Sequence, residues 1–365
     1  MQLPLVNRVL DHAIAIQQIP APTFHEDQRV AFLYQQFLSE GLSDVTRDDA
    51  GNLFARLPGI GGAAPLVVSA HCDTVFPAST DLHIRREPDR IFGPGIGDNS
   101  LGIAGLFGLL WMLREREVRL PGDLWLVANV GEEGLGDLCG MRAVVDRFGD
   151  QALAYLVLEG MALGQVYNRG LGVRRYQISV RTLGGHSWVD YGRESAVHEL
   201  AKLVNQLLAL PLPREPRTTL NVGVIAGGTT VNTIAAQAHL ELDLRSESVE
   251  ALAVLVAQVD TLVAVANHPG VQVSAEVIGS RPAGSIPDQH PLVQLALSAL
   301  RDQGLEARTG IGSTDANIPL SRGISAICTG ISTGGNAHTT EEFINTQPVG
   351  QGLEHLFAIV RNIYK

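Results

Sequence analysis

The sequence predicts a discontinuous α/β domain with a smaller α+β domain inserted into it, on three observations. Between residues 66 and 158 short apolar strands alternate with helices, the pattern of a sheet covered on both faces. Near Gly170 the rhythm changes to half-exposed strands and helices in the order β-α-β-β-α-β, which is that of a ferredoxin-like unit. A Gly- and Pro-containing stretch over 279–287 then reads as the exit linker and leads back to helix, apolar strand and helix. The expected boundaries are 1–169 and 282–365 for the two parts of the α/β domain, and 170–281 for the insertion.

Taken in order, Pro22-Thr23-Phe24-His25-Glu26 reads as a capping box, with Thr23 as N-cap and Glu26 three residues on. The helix behind it should run to about Glu40 and stop at Gly41. Asp49-Ala50-Gly51-Asn52 reads as a hairpin turn. Residues 66–70 form a buried strand ending at His71, 102–116 a helix, and 124–130 a second buried strand ending at Glu132. A helix over 141–148 and a third buried strand, 154–158, ending at Glu159, complete the first part. In the insertion, 173–182 alternates as a half-exposed strand, 194–210 is an amphipathic helix, and 219–225 and 236–245 are strands. A long helix rich in Ala, Val and Leu over 247–267 and a strand over 271–278 close that set. Last come a helix over 291–303, an apolar strand over 324–328, the His338 loop and a helix to Lys365.

Composition narrows the function. Hydrophobic content of 45% and charged content of 18% suit a globular chain with a large core. The formal charge of −11 argues against nucleic acid or an anionic membrane surface as the main partner. Three cysteines, Cys72, Cys139 and Cys328, at long irregular spacings suit a reducing compartment better than a disulfide framework. The stretch 1–18 carries Arg8 and Asp11 and has no signal-peptide layout, and no uninterrupted apolar run reaches transmembrane length. The expectation is a cytoplasmic protein.

Histidines and carboxylates gather at strand ends and glycine-rich turns: His71-Cys72-Asp73, Gly97-Asp98-Asn99, Gly131-Glu132-Glu133-Gly134, Leu158-Glu159-Gly160 and Asn336-Ala337-His338. Open α/β sheets place their sites just past the carboxyl ends of the strands, which is where these residues fall. His71 and Asp73 are two apart on extended backbone and so face the same side, where Asp73 can accept from the ring nitrogen turned away from a metal. Asp98 precedes a helix; it is either an N-cap or a ligand that offers one oxygen to each of two ions. Glu132 and Glu133 point opposite ways, so one can bind metal while the other faces water; otherwise both are solvated loop acids. Glu159 ends an apolar strand, where an unpaired charge is costly to bury unless the loop exposes it.

Two imidazoles, one isolated Asp and three Glu are the parts of a two-metal hydrolase. Two divalent ions bring a charge of about +4, which Asp98, Glu133, Glu159 and a hydroxide bring close to neutrality, leaving Glu132 free as base. Zinc suits His with Asp and Glu ligands, with cobalt and manganese as alternatives. Gly330-Ile331-Ser332-Thr333-Gly334 matches a nucleophile elbow, but no carboxylate lies between Ser332 and His338, as a serine hydrolase of that type requires.

These motifs, in this order, resemble the M20 family of metallopeptidases and deacylases over nearly the whole chain. The resemblance implies that His71 and His338 each bind one metal, that Asp98 bridges the two, and that Glu133 and Glu159 complete the coordination spheres. It further implies that Asp73 orients His71, that Glu132 is the general base, and that the Asp98-Asn99 peptide is cis. In the insertion, Gly184-Gly185-His186-Ser187 resembles the family's lid histidine, which reaches the partner subunit's site and steadies the oxyanion. Asn232 and Arg245 match substrate-contacting positions, the Arg at a carboxylate, and 312–317 resembles a substrate-side loop. Trp188-Val189-Asp190, Ser100 and Ala235 depart from the family pattern, which bears on substrate preference. The implied activity is exopeptidase on small peptides, or deacylase on N-acyl amino acids, in a homodimer formed through the inserted lid domain. The contrasting class is a non-catalytic protein on the same fold.

Overall fold

The computed structural model describes residues 3–365. Its internal contacts divide the chain into two units, one running up to Gly170 and resuming over Gly284–Lys365, the other Leu171–Ala283.

The first unit is built on a mixed sheet whose centre is parallel. Strands Gly122–Asn129, Ala63–His71, Ala154–Glu159 and Ala326–Gly330 lie side by side in that order, all pointing the same way. Leu66, Val67 and Val68, Leu124 and Leu126, Tyr155 to Leu158 and Ile327 are inaccessible to solvent, so helices must cover both faces of this centre. Antiparallel strands Leu53–Leu57 and Ser43–Arg47 extend one edge; Gln165–Gly170, paired to Arg308–Gly312 and Gly284–Ser285, extends the other. Helix Gly102–Glu115 buries every residue from Gly102 to Leu113. Gly105 makes that possible: a Cβ there would meet the Ile331 side chain at 2.8 Å. The segment Ile96–Glu115 is apolar and long enough to cross a membrane, but 94% of its apolar window is buried in the protein, which marks a core helix.

The second unit is a four-stranded antiparallel sheet in the order Thr218–Gly227, Gln237–Ser246, Gly172–Thr182, Val271–Arg281. In chain order these are strands two, three, one and four, the ferredoxin-like arrangement. Tyr176, Ile178 and Val180 alternate with polar neighbours on the first strand and pack with Leu240, Leu242 and Leu244 beneath helices Ala196–Leu208 and Val249–Val265. A short ribbon, Gly185–His186 against Thr233–Ile234, stands apart from this sheet.

Several elements differ from the sequence-based expectation. Thr23 is not an N-cap: the helix starts at Asp27, and the Thr23 hydroxyl donates to Asp73 Oδ2 at 2.9 Å instead. A buried carboxylate fifty residues away outcompeted the local cap. The stretch 279–287 is less a linker than a continuation, since the strand Val271–Arg281 runs into it and Gly284–Ser285 pairs again. The last helix stops at Asn362 rather than Lys365. A helix over Leu3–Gln17, burying Val9, Leu10, Ala13 and Ile16, occupies the stretch read above only for its lack of a signal layout.

His355, on the last helix, is inaccessible to solvent with Nε2 3.0 Å from the Thr329 hydroxyl, and burial lowers its pKa from 6.5 to about 4. The unfolded chain therefore takes up this proton near pH 6.5, and the folded chain only near pH 4. The stability this histidine contributes is complete above pH 6.5 and is lost as pH falls toward 4, by about 3 kcal/mol in all. His355→Phe leaves the Thr329 hydroxyl its bond to the Gln165 carbonyl. In urea melts across that window the variant should lose less stability than the parent by up to about that amount. Equal slopes for the two proteins would count against the assignment.

Candidate metal centre

Three of the parallel strands deliver the chemistry at their carboxyl ends. His71 is the last residue of Ala63–His71 and Glu159 the last of Ala154–Glu159, while Glu132 and Glu133 follow Gly122–Asn129 after Val130 and Gly131. Because strand Ala63–His71 lies between the other two, its histidine has a carboxylate on either side. Asp98 comes from the turn before helix Gly102–Glu115, where the Asp98-Asn99 peptide is cis. His338 comes from the loop after strand Ala326–Gly330.

The distances resolve two halves that share Asp98. His71 Nε2 lies 3.1 Å from Asp98 Oδ1 and 3.6 Å from Glu159 Oε2. His338 Nε2 lies 3.2 Å from Asp98 Oδ2 and 3.1 Å from Glu133 Oε1. Each oxygen of Asp98 thus faces a different imidazole. The halves adjoin, since one donor atom each of His71, Asp98 and Glu133 lie within 4.8 Å of one another. His71 is buried while the His338 side chain is 53% exposed, so the centre opens on the His338 side.

The charges are those of a site shaped for cations. Burial works against a charged His71, yet Glu159, Asp73 and Asp98 around it hold its pKa well above 6.5. Hydrogen bonds from His338 to Asp98 and Glu133 lift that ring to about 10. Burial, with Asp98 adding to it, raises Glu159 to about 7 in spite of His71. Asp98 itself, although buried, is held below the usual carboxylate range by His338 and His71. Three carboxylates thus demand more positive charge than two neutral rings offer. Imidazole nitrogens and carboxylate oxygens are the donor set for zinc, cobalt or manganese, and the residues present fit a pair of such ions.

Behind this layer the structure shows partners that local sequence did not reveal. Asp73 Oδ1 accepts from the Glu132 N–H at 3.0 Å, and Oδ2 from the Glu133 N–H at 2.8 Å. His71 Nδ1 lies 3.1 Å from the Asp73 main-chain carbonyl and 3.5 Å from its Oδ1. Burial pushes Asp73 up, but His71 and those N–H groups outweigh it and hold the carboxyl below its ordinary value. Through its carbonyl and its carboxylate, this one residue orients the histidine and the Glu132–Glu133 turn together. Glu26 accepts from the Gly131 N–H at 3.1 Å, so the segment before helix Asp27–Ser39 buttresses the same turn. Glu342, inaccessible to solvent, accepts from the N–H groups of Gly97 at 2.7 Å and Asp98 at 2.8 Å, tying the His338 loop to the Asp98 turn. Asn99 ties that turn to the Glu159 strand, donating to Leu158 O and accepting from Gly160 N–H. The signal available for Glu342 was its place four residues after His338, which spacing alone cannot distinguish from a solvated loop acid. Ser332, the elbow-like serine, is buried and donates to the Asn345 carbonyl.

The remaining sequence-derived residues belong to the inserted unit and are not gathered together there. His186 and Asn232 are close: the Ser187 N–H donates to the Asn232 carbonyl at 3.0 Å, at the ribbon beyond the Gln237 end of strand Gln237–Ser246. Arg245 is at the other end of that strand, opposite Val173, with Nε 2.7 Å from Asp243 Oδ2. Eight residues of strand, about 27 Å, separate Gln237 from Arg245. Volume alone does not mark the centre: a groove of about 630 Å³ lined by Leu3, Val6, Arg86 and Glu354 contains no histidine.

Comparison with known proteins agrees with this geometry. The model of Peptidase family M20/M25/M40 matches residues 67–362. The uncharacterised protein YqjE of Bacillus subtilis (strain 168) is 23% identical over 98% of this chain and 99% of its own. Carboxypeptidase G2 of Pseudomonas sp. (strain RS-16) is 26% identical over 78% of this chain and 71% of its own. In fold, the chain resembles aminopeptidase PepT from Bacillus cereus ATCC 10987, with a TM-score of 0.81 at 24% identity over 99% of both chains.

Proposed function

Since this chain belongs to peptidase family M20/M25/M40, and is thus a hydrolase of peptide bonds, we propose that it is a two-metal exopeptidase for small peptides. The observation that carries the reading is Asp98, whose two oxygens face His71 and His338 separately. His71, Asp98 and Glu159 would hold one ion; His338, Asp98 and Glu133 would hold the other. Zinc is the ion proposed, and the pair when bound supplies Lewis acidity to the amide carbonyl and makes water a nucleophile near neutral pH.

The chain's own groups do the rest. Glu132, buried at the turn that Asp73 fixes, takes the proton of the attacking water on its carboxylate and passes it to the departing amine nitrogen. Asp73 keeps the imidazole of His71 in one tautomer by facing Nδ1, so that Nε2 is turned toward Asp98. His186 steadies the oxygen that gains charge, Asn232 assists beside it, and Arg245 pairs with a substrate carboxylate. A dipeptide spans about 7 Å, well short of the roughly 27 Å of strand between Arg245 and Gln237, the end beyond which the His186 ribbon lies. The two therefore serve different copies of the site, which supports a homodimer formed through the inserted domain with His186 acting on the partner's substrate. Three unpaired cysteines fit a reducing, cytoplasmic setting.

Elemental analysis of dialysed protein is the direct test, with about two divalent ions per chain expected. Chelation should abolish hydrolysis, and zinc, cobalt or manganese should restore it; activity indifferent to chelation removes the proposal. Peptides with free and amidated carboxyl ends, alongside N-acetyl and N-succinyl amino acids, then sort the specificity. Amidation should abolish cleavage if Arg245 reads the terminal carboxylate, and should spare it in an aminopeptidase.

A further inference from the structure

Against Asp98 and Glu159 the α/β unit carries a cleft of about 330 Å³, walled by Met161, Tyr167, Ile311 and the turn 312–314. We propose that this cleft takes one uncharged, apolar side chain of a small peptide, that of a residue flanking the scissile bond. Met161, Tyr167 and Ile311 are its specificity-determining contacts. The inference rests on the peptidase reading above and narrows its substrate class.

Charge carries the first part. The ionisable acids lining the cleft are Asp98 and Glu159, both committed to the histidine cluster, and no Lys, Arg or His lines it. An acidic side chain entering here would leave water for a thioether, a phenol ring and an isoleucine, and no Lys, Arg or His of the lining would pair with it. A lysine would have to leave water for a thioether, a phenol ring and an isoleucine, at a desolvation cost those carboxylates offset poorly while they serve metal ions. An apolar side chain meets matched surface and displaces water from it.

Size and shape carry the second. About 330 Å³ equals roughly eleven waters and lies at the bottom of the range for ligand pockets, room for one apolar side chain with the backbone beside it. The walls are preformed. Met161 is seated so close to Gly97 and Gly334 that a Cβ on either would fall within 2.6 Å of its sulfur. The Tyr167 ring lies flat enough against Gly312 that a Cβ there would meet it at 3.3 Å. Met161 and Tyr167 are also packed on the main core, and Met161, Tyr167 and Ile311 are all half-buried, as a cleft wall open to substrate requires. An unbranched thioether adapts to linear or branched guests, which favours leucine and methionine.

The test uses metal-loaded, full-length protein and two dipeptide series, X-Ala and Ala-X, with X as Ala, Leu, Met, Glu or Lys. In one series Leu and Met should exceed Glu and Lys in kcat/KM by at least about tenfold, the scale on which hydrophobic pockets discriminate. Ile311→Trp, which fills the cleft, should lower the Leu-to-Ala ratio at least about fivefold, and Met161→Arg should raise the Glu-to-Leu ratio by about tenfold. Ratios measured on one preparation cancel any loss of folded or metal-loaded enzyme, and the two variants alter the walls independently. Cleavage in both series with Glu or Lys equal to Leu overturns the proposal, as do ratios unmoved in both variants. No cleavage of any peptide would instead sink the peptidase reading, and this proposal with it.

Discussion

Glu132→Gln is expected to lower kcat by about 10²- to 10⁴-fold, the usual contribution of a positioned general base. The substitution keeps the size and hydrogen-bonding shape of the side chain and removes only its capacity to take a proton. The turn that carries it is held independently of that carboxylate, through the Glu132 and Glu133 N–H bonds to Asp73 and the Gly131 N–H bond to Glu26. Folding should therefore be preserved, KM should change little, and bound metal should stay near two ions per chain. Steady-state kinetics with elemental analysis of the same sample separates loss of the base from loss of the ions. Near-parental turnover with full metal content would remove Glu132 from the mechanism.

Asp98→Ala should have the larger effect on the ions. Among the described residues it removes the one side chain with an oxygen within 3.2 Å of each histidine, at 3.1 Å from His71 and 3.2 Å from His338. Each half of the centre then keeps one imidazole and one glutamate. Affinity should fall in both by more than the roughly 10- to 100-fold that loss of an outer-shell partner causes, and hydrolysis should drop to background. Asp98→Asn retains one carbonyl oxygen and should hold a single ion more firmly than the second. Titration calorimetry on apo-protein reads this directly, as two binding events in the parent, fewer in Asn and none of comparable strength in Ala. Two parental-strength events in Asp98→Ala would rule out a bridging role.

The α/β centre was legible because its signals are local. Residues 66–70, 124–130 and 154–158 are short apolar runs bounded by turns, and the observed strands differ from them by a few residues at most. Thr23 misled because an N-cap is a local competitor, and the hydroxyl found a stronger acceptor in buried Asp73. The adjacency of Glu132 and Glu133 suggested that they divide the work, but only the fold shows Glu133 beside His338 and Glu159 beside His71. Glu342 was passed over because its partners are main-chain N–H groups 244 and 245 residues earlier.

What the sequence determined by itself is the inventory: apolar strands with period-two or continuous burial, and a histidine or carboxylate where three of the central strands give out. Those properties depend on neighbouring residues and are written in the chain. The tertiary structure alone decided the pairing of carboxylates with imidazoles, the separation of His186 from Arg245, and the apolar cleft beside Glu159. Strand order is the reason. Placing Ala63–His71 between two strands that follow it in the chain is a long-range packing outcome, and every distance in the centre descends from it.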